Sequence, residues 1–186
     1  MPFYRRRLPH LYEPDVPVFV TWRLEDSLPA YRHFDSRALT SAESFQALDE
    51  LLDETRTGAR YLSIPAVADL VTESIWHGAT IMQQYQLHAF AVMPNHVHLL
   101  MTPNSSLPRI LNSLKSFTAR RANALLARSG KAFWLAESYD HLIRDRLEFE
   151  SIRRYIEENP VRALLVKQAE DYLWSSANGR WAKAEV

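Results

Sequence analysis

Two histidines one residue apart, in the run Met93-Pro94-Asn95-His96-Val97-His98-Leu99-Leu100, are the residues best suited to hold a metal. The run follows residues 87–92, which read as a strand, and it begins another strand itself. Side chains two apart on a strand share a face, so His96 and His98 project together while Val97 points away. Two neutral imidazoles make half of a divalent-metal site, which needs a further oxygen or nitrogen ligand and open positions for substrate. A second pair, Tyr155 and Asn159, is four residues apart in the last clear helical stretch. At that spacing the two lie about 40° and 6 Å apart on one helix face. A phenol would then stand beside a cation that a carboxamide oxygen helps to hold. Each residue also has an ordinary role open to it. The histidines could be exposed on a half-polar strand, Tyr155 could pack beside Ile152 and Ile156, and Asn159 could end a helix before Pro160.

The elements that must position these residues follow from periodicity. Residues 16–24, rich in β-branched and aromatic side chains, read as a first strand with Pro17 at its start or on an edge. A helix is expected from Ser41 to about Arg56, with Leu48, Leu51 and Leu52 on its apolar side, ended by Thr57-Gly58. A second helix begins at Pro65 and runs toward Gln84. Residues 85–92 and 96–102 form a hairpin around Met93-Pro94-Asn95. The helix 107–128 carries Leu107, Ile110, Leu111, Leu114 and Phe117 as its buried stripe. Residues 133–143 read as loop and then strand, with 141–144 the extended part; Asp145 caps a helix over 146–158, ended by Asn159-Pro160. This order predicts an α+β fold, ferredoxin-like in outline, with helices packed on an antiparallel sheet.

Composition sets the limits. With 186 residues, 47% apolar and 24% charged, the chain reads as one domain over 1–186, with a basic arm at 1–15 and a tail at 161–186 that packs on the core. The absence of cysteine excludes disulfides, thiolate–zinc sites and a thiol nucleophile. No apolar run approaches the roughly 20 residues needed to span a bilayer, and no apolar stretch follows Arg5-Arg6-Arg7 to make a secretory signal. The expectation is a cytoplasmic protein with no membrane partner. Net charge is zero, but its distribution is uneven: residues 36–94 hold 3 Lys/Arg against 7 Asp/Glu, and residues 95–186 hold 14 against 10. Arg109, Lys115, Arg120, Arg121, Arg128 and Lys131 form a stretch without an acid. Such a stripe can be a solvated helix face or can follow a phosphate backbone.

The motifs taken together resemble a known family. The hairpin run is followed in order by Ser113-Leu114-Lys115-Ser116-Phe117-Thr118-Ala119-Arg120, Phe133-Trp134, Glu137-Ser138-Tyr139-Asp140-His141, Ile143-Arg144-Asp145 and Arg154-Tyr155-Ile156-Glu157-Glu158-Asn159-Pro160-Val161. Over residues 16–176 this resembles the REP-associated tyrosine transposases, and more distantly the one-tyrosine HUH transposases that move as single-stranded DNA. The resemblance implies the HUH endonuclease fold, with His96 and His98 as metal ligands, Asn159 as a further ligand and Tyr155 as nucleophile. It also implies Mg²⁺ or Mn²⁺ as cofactor and single-stranded or hairpin DNA as partner, hence a nucleoid-associated location. Relatives include dimeric and monomeric enzymes, and the sequence does not choose between a homodimer and a monomer. Two departures stand out. Leu135-Ala136 replaces the Gln-Asp often found after the Trp, and residues 30–60 form an insertion with no evident role.

The implied chemistry is transesterification, in which Tyr155 would form a 5′-phosphotyrosine and release a 3′-OH that can later reverse the step. Arg5, Arg6, Arg7, Lys115, Arg120 and Arg121 are the expected DNA contacts. Tyr139 is the rival nucleophile, while Glu137, Asp140 and His141 are candidates for lesser parts. Two other readings compete: a domesticated hairpin-binding regulator without catalysis, and a small-molecule metal hydrolase. No Asp or Glu stands in evident ligand spacing to the histidine pair, which counts against the hydrolase.

Overall fold

The computed structural model describes residues 15–28, 49, 51–52 and 57–181. Among them, four strands form one sheet: β1 (Val18–Leu24), β2 (Tyr85–Val92), β3 (His96–Pro103) and β4 (Trp134–Leu142). The order is β2-β3-β1-β4 and every pairing is antiparallel. Three helices accompany them: α1 (Pro65–Thr80), α2 (Leu107–Leu125) and α3 (Arg146–Arg162). This β1-α1-β2-β3-α2-β4-α3 sequence is the expected ferredoxin-like α+β arrangement with a helix added at the end.

Strand alternation sorts the sheet into two faces. Val18, Val20, Trp22 and Leu24 of β1, with Val97, Leu99 and Met101 of β3, join the large core under α1 and α2. The opposite side chains, Phe19 and Leu100 with Ala89 and Ala91 of β2, pack under Ile156 of α3. Because helices cover both faces, β3 is buried almost throughout. Register fixes where the histidines point: Thr21 lies opposite His98 and Arg23 opposite His96, on the α3 side with Leu100. An irregularity between Leu87 and Ala89 puts His88, whose ring meets Phe149 of α3, on the same face as its neighbour Ala89.

Four expectations are corrected. The fourth strand spans Trp134–Leu142 and Ile143-Arg144 lie beyond it; as an edge strand paired only with β1, it carries half-exposed polar residues that mask the strand signal. α3 does not stop at Asn159-Pro160 but continues to Arg162. Pro160 removes one N–H, and the helix resumes with the Ala163 amide donating to Asn159 O at 2.9 Å. Phe117 is 44% exposed, because α2 turns Thr118 inward instead, where its hydroxyl accepts from Trp134 Nε1–H at 2.9 Å. α1 ends at Thr80 and α2 at Leu125, each a few residues short of the expected end. The expected helix at 41–56 lies mostly outside the described residues; Asp49, Leu51 and Leu52 are helical.

The final segment closes one edge of the sheet. Val92 N–H donates to Trp174 O and Ser176 N–H to Phe90 O, with Ala91 and Ser175 bridged. Tyr172 and Trp181 are buried there.

Candidate metal centre and nucleophile

The β2–β3 turn sets the geometry of the centre. Asn95 O accepts from the Leu24 amide and Pro94 O from the Leu62 amide, which ties the turn to the end of β1 and to the one-turn helix Tyr61–Ser63. The Asn95 side chain then does two things. Its Nδ2 donates to Leu52 O at 2.9 Å, which leaves its Oδ1 to accept from His96 Nδ1–H at 2.7 Å. His96 is thereby held as the tautomer with a bare Nε2. His98 Nδ1 is bonded to Thr21 Oγ1 at 2.8 Å. Bonds of this kind at the far nitrogen are what orient a ligating imidazole.

The two Nε2 atoms lie 3.0 Å apart, and a third donor faces them. Asp49 Oδ1 stands 3.1 Å from His98 Nε2 and 3.4 Å from His96 Nε2. All three residues are buried. Ligands adjacent on an octahedral Mg²⁺ with bonds near 2.1 Å are about 3 Å apart, so the observed spacing suits a small divalent cation. At this centre two buried oxygens, Asp49 Oδ1 and Asn159 Oδ1, have no hydrogen-bond partner among the described residues, and a cation is the natural occupant for the first. The donor set therefore fits the metal that the histidine pair suggested.

Electrostatics favour the ligating forms. Burial, and then the neighbouring His98, push His96 down to about 3 against the opposing pull of Asp49, so it is neutral at ordinary pH. Burial works to raise the Asp49 carboxyl, but the two histidines and the bond from Tyr155 outweigh it and hold the group well below the usual carboxylate range.

α3 brings the phenol to the same carboxylate. Asp145 caps the helix, its side chain accepting from Glu148 N–H at 2.9 Å, and Ile156 anchors it to the sheet. Tyr155 then lies edge-on to His98 and Phe19, with ring centroids 5.9 and 6.5 Å away, and its hydroxyl donates to Asp49 Oδ2. One turn on, Asn159 Nδ2 donates to Asp49 Oδ2 at 3.0 Å and approaches His98 Nε2 at 3.3 Å. The carboxamide thus meets the centre through nitrogen, and its oxygen has no partner among the described residues. His96, His98, Tyr155 and Asn159 are brought together.

Asp49 is the residue that sequence reasoning missed. It lies within the insertion to which no role was given, and the statement that no acid stands near the histidines in ligand spacing is overturned by the fold. One signal was available: Asp49 falls three residues before Leu52, on the apolar side of the expected helix.

Other candidates lie elsewhere. The Tyr139 ring meets Phe19 at 6.3 Å, while the hydroxyl at the carboxylate is that of Tyr155. His141 bonds to Glu148 Oε1 at 2.8 Å, outside the centre. Lys115 donates to the carbonyls of Leu135 and Ala136 at 2.7 and 3.0 Å. Arg120 and Arg121 are exposed on α2, which covers the sheet face opposite the histidines. Arg5, Arg6 and Arg7 lie outside the described residues.

An α+β sheet here presents to a helix-borne tyrosine a buried His-His-Asp cluster that could hold a divalent metal ion. The chain's relatives narrow this. Residues 60–159 match the family described as IS200-like transposases, and the chain belongs to that family, a class of DNA-cleaving enzymes. Among solved structures, it is similar to a REP-associated tyrosine transposase bound to a REP hairpin. That match has 18% identity and a TM-score of 0.59, over 95% of this chain and 82% of that one. The fold is therefore shared. A transposase assigned in Deinococcus radiodurans R1 matches at 19% identity and a TM-score of 0.44, over 82% of this chain and 97% of that one. No curated protein matches the chain.

Proposed function

We propose that this protein cuts and rejoins single-stranded DNA beside hairpin-forming repeats, through a 5′-phosphotyrosine on Tyr155. The observation that carries the reading is the meeting on Asp49: one oxygen faces both histidine Nε2 atoms, and the other accepts from the Tyr155 hydroxyl. A divalent cation, Mg²⁺ or Mn²⁺, held by His96, His98, Asp49 and the Asn159 carboxamide oxygen, would supply Lewis-acid polarisation of the scissile phosphate. Asn159 must turn its amide by half a revolution to present oxygen, a change that leaves its shape almost unaltered.

A phenol with an ordinary value near 10 is a poor nucleophile at neutral pH; a cation at the donor set would favour its ionised form, and the Tyr155 proton would pass to solvent. The Tyr155 oxygen then bonds to phosphorus as the bond from phosphorus to the 3′-oxygen breaks. The departing 3′-oxygen takes a proton from solvent. Attack of a 3′-OH on the phosphotyrosine reverses the exchange, so no nucleotide cofactor is consumed. Thr21 and Asn95 keep both imidazoles aimed, and α3 and the hairpin exclude water from the donor side.

The test incubates the protein with Mn²⁺ and labelled single-stranded hairpin DNA. A covalent protein–DNA product is expected from the native protein and from Tyr139→Phe, and none from Tyr155→Phe. Binding without any covalent product would overturn the proposal and favour the regulator.

A further inference from the structure

The nucleophile has a second neighbour that the scheme above does not use. Arg162 follows Tyr155 by seven residues on α3, close to two full turns, so both side chains leave the same face. Its side chain leans back over the phenol, with the guanidinium carbon 4.8 Å from the ring centroid. Arg162 is exposed and makes no ion pair among the described residues, whereas Arg153 on the same helix pairs with Glu150 and Glu157 and Arg180 pairs with Asp69. A cation suits the last turn of a helix. That accounts for an arginine at this position but not for its reach back to Tyr155. The phenol is therefore flanked by an anionic carboxylate within the protein and by a solvent-facing guanidinium outside it.

We infer that Arg162 clamps the phosphodiester attacked by Tyr155, its planar fork bonding the non-bridging oxygens before attack and in the phosphotyrosine. The inference rests on the proposed function and adds a substrate contact to it. A guanidinium holds phosphate through two parallel N–H bonds, which an ammonium cannot match. Arg162 keeps its charge and its protons throughout; it neutralises the phosphoryl oxygens as the Tyr155–phosphorus bond forms and the bond to the 3′-oxygen breaks. Its position also gives the strand a direction of approach, from the exposed side of α3.

The experiment compares native protein with Arg162→Ala, Arg162→Met and Arg162→Lys on a labelled hairpin oligonucleotide that the native protein cuts. The substrate carries either the normal phosphodiester or an uncharged methylphosphonate at the cut junction. Covalent product should form about 100- to 1,000-fold more slowly with Ala and Met, as when one charge-stabilising donor is removed, and Lys should recover part of the loss. On the methylphosphonate the native-to-Ala ratio should shrink by at least tenfold. A native rate in Arg162→Met, or an equal loss on both substrates, would overturn the clamp and leave a packing role. Should the native protein cut no DNA, the proposed function fails separately. Arg162 is then read from oligothymidylate binding in the Tyr155→Phe background, where Arg162→Ala should make the log–log salt slope shallower by about 0.7. An unchanged slope refutes it.

Discussion

Lowering the pH should destabilise the metal-free protein through His96, and the size of the effect follows from its burial. The imidazole has an ordinary value of 6.5 and is pushed down to about 3 in the fold. Between those values the unfolded chain binds a proton that the folded protein refuses. Stability is therefore greatest above pH 6.5, falls as pH drops, and levels off only near pH 3. At about 1.4 kcal/mol per unit, the full span is worth about 5 kcal/mol, and the step from pH 7.5 to pH 5 about 2 kcal/mol. The carboxylates do not confuse the step from pH 7.5 to pH 5. Asp49 and Glu148 are both held below their ordinary values of 3.8 and 4.5, so their contributions are complete above those values and are lost only at more acid pH. The assay is thermal or urea unfolding in chelator at pH 7.5, 6.5 and 5, on the native protein and on His96→Gln. About 2 kcal/mol in a chain of this length corresponds to roughly 4–8 °C in Tm, and the variant should lose that part of the pH dependence. Equal slopes in the two proteins, or a flat native profile, would refute the assignment of a neutral, buried His96.

Two further outcomes test other parts of the structure. Asp49→Asn removes the only anion from the donor set among the described residues and should weaken Mn²⁺ binding by about 10- to 100-fold, read by calorimetric titration; an unchanged affinity would exclude Asp49 as a ligand. In α1, a Cβ at Gly78 would come within 2.7 Å of the Tyr85 hydroxyl, which is fixed by its bond to Ile75 O at 2.6 Å. Gly78→Ala should therefore lose about 1–2 kcal/mol in urea unfolding despite the better helix propensity of alanine, and a stabilised variant would show that the ring moves aside freely.

The parts of the site that the sequence made legible are those set by short-range periodicity. A strand repeat of two put His96 and His98 on one face, and a helical spacing of four put Tyr155 beside Asn159; the structure has both relations. What periodicity could not reach was the pairing of distant elements. Asp49 meets His98 across a long stretch of chain, beside the bond from Asn95 to Leu52 O, and no local spacing encodes that contact. β4 was hidden for a different reason: as an edge strand it buries little, so the polar run Glu137-Ser138-Tyr139-Asp140-His141 satisfies the sheet without apolar alternation. Asn159-Pro160 misled because a rule about isolated helices was applied where side-chain bonds to the centre and a buried Pro160 hold the last turn in place.

The sheet order has a practical outcome for anyone trimming the gene. β1 occupies the middle of the sheet, between β3 and β4, yet it lies wholly before the stretch 60–159 that bears the family signature. A fragment cut to that stretch would leave two strands without a common neighbour and strip the covering residues from the rim of β2. The smallest piece worth expressing must start upstream of Val18 and run through Trp181.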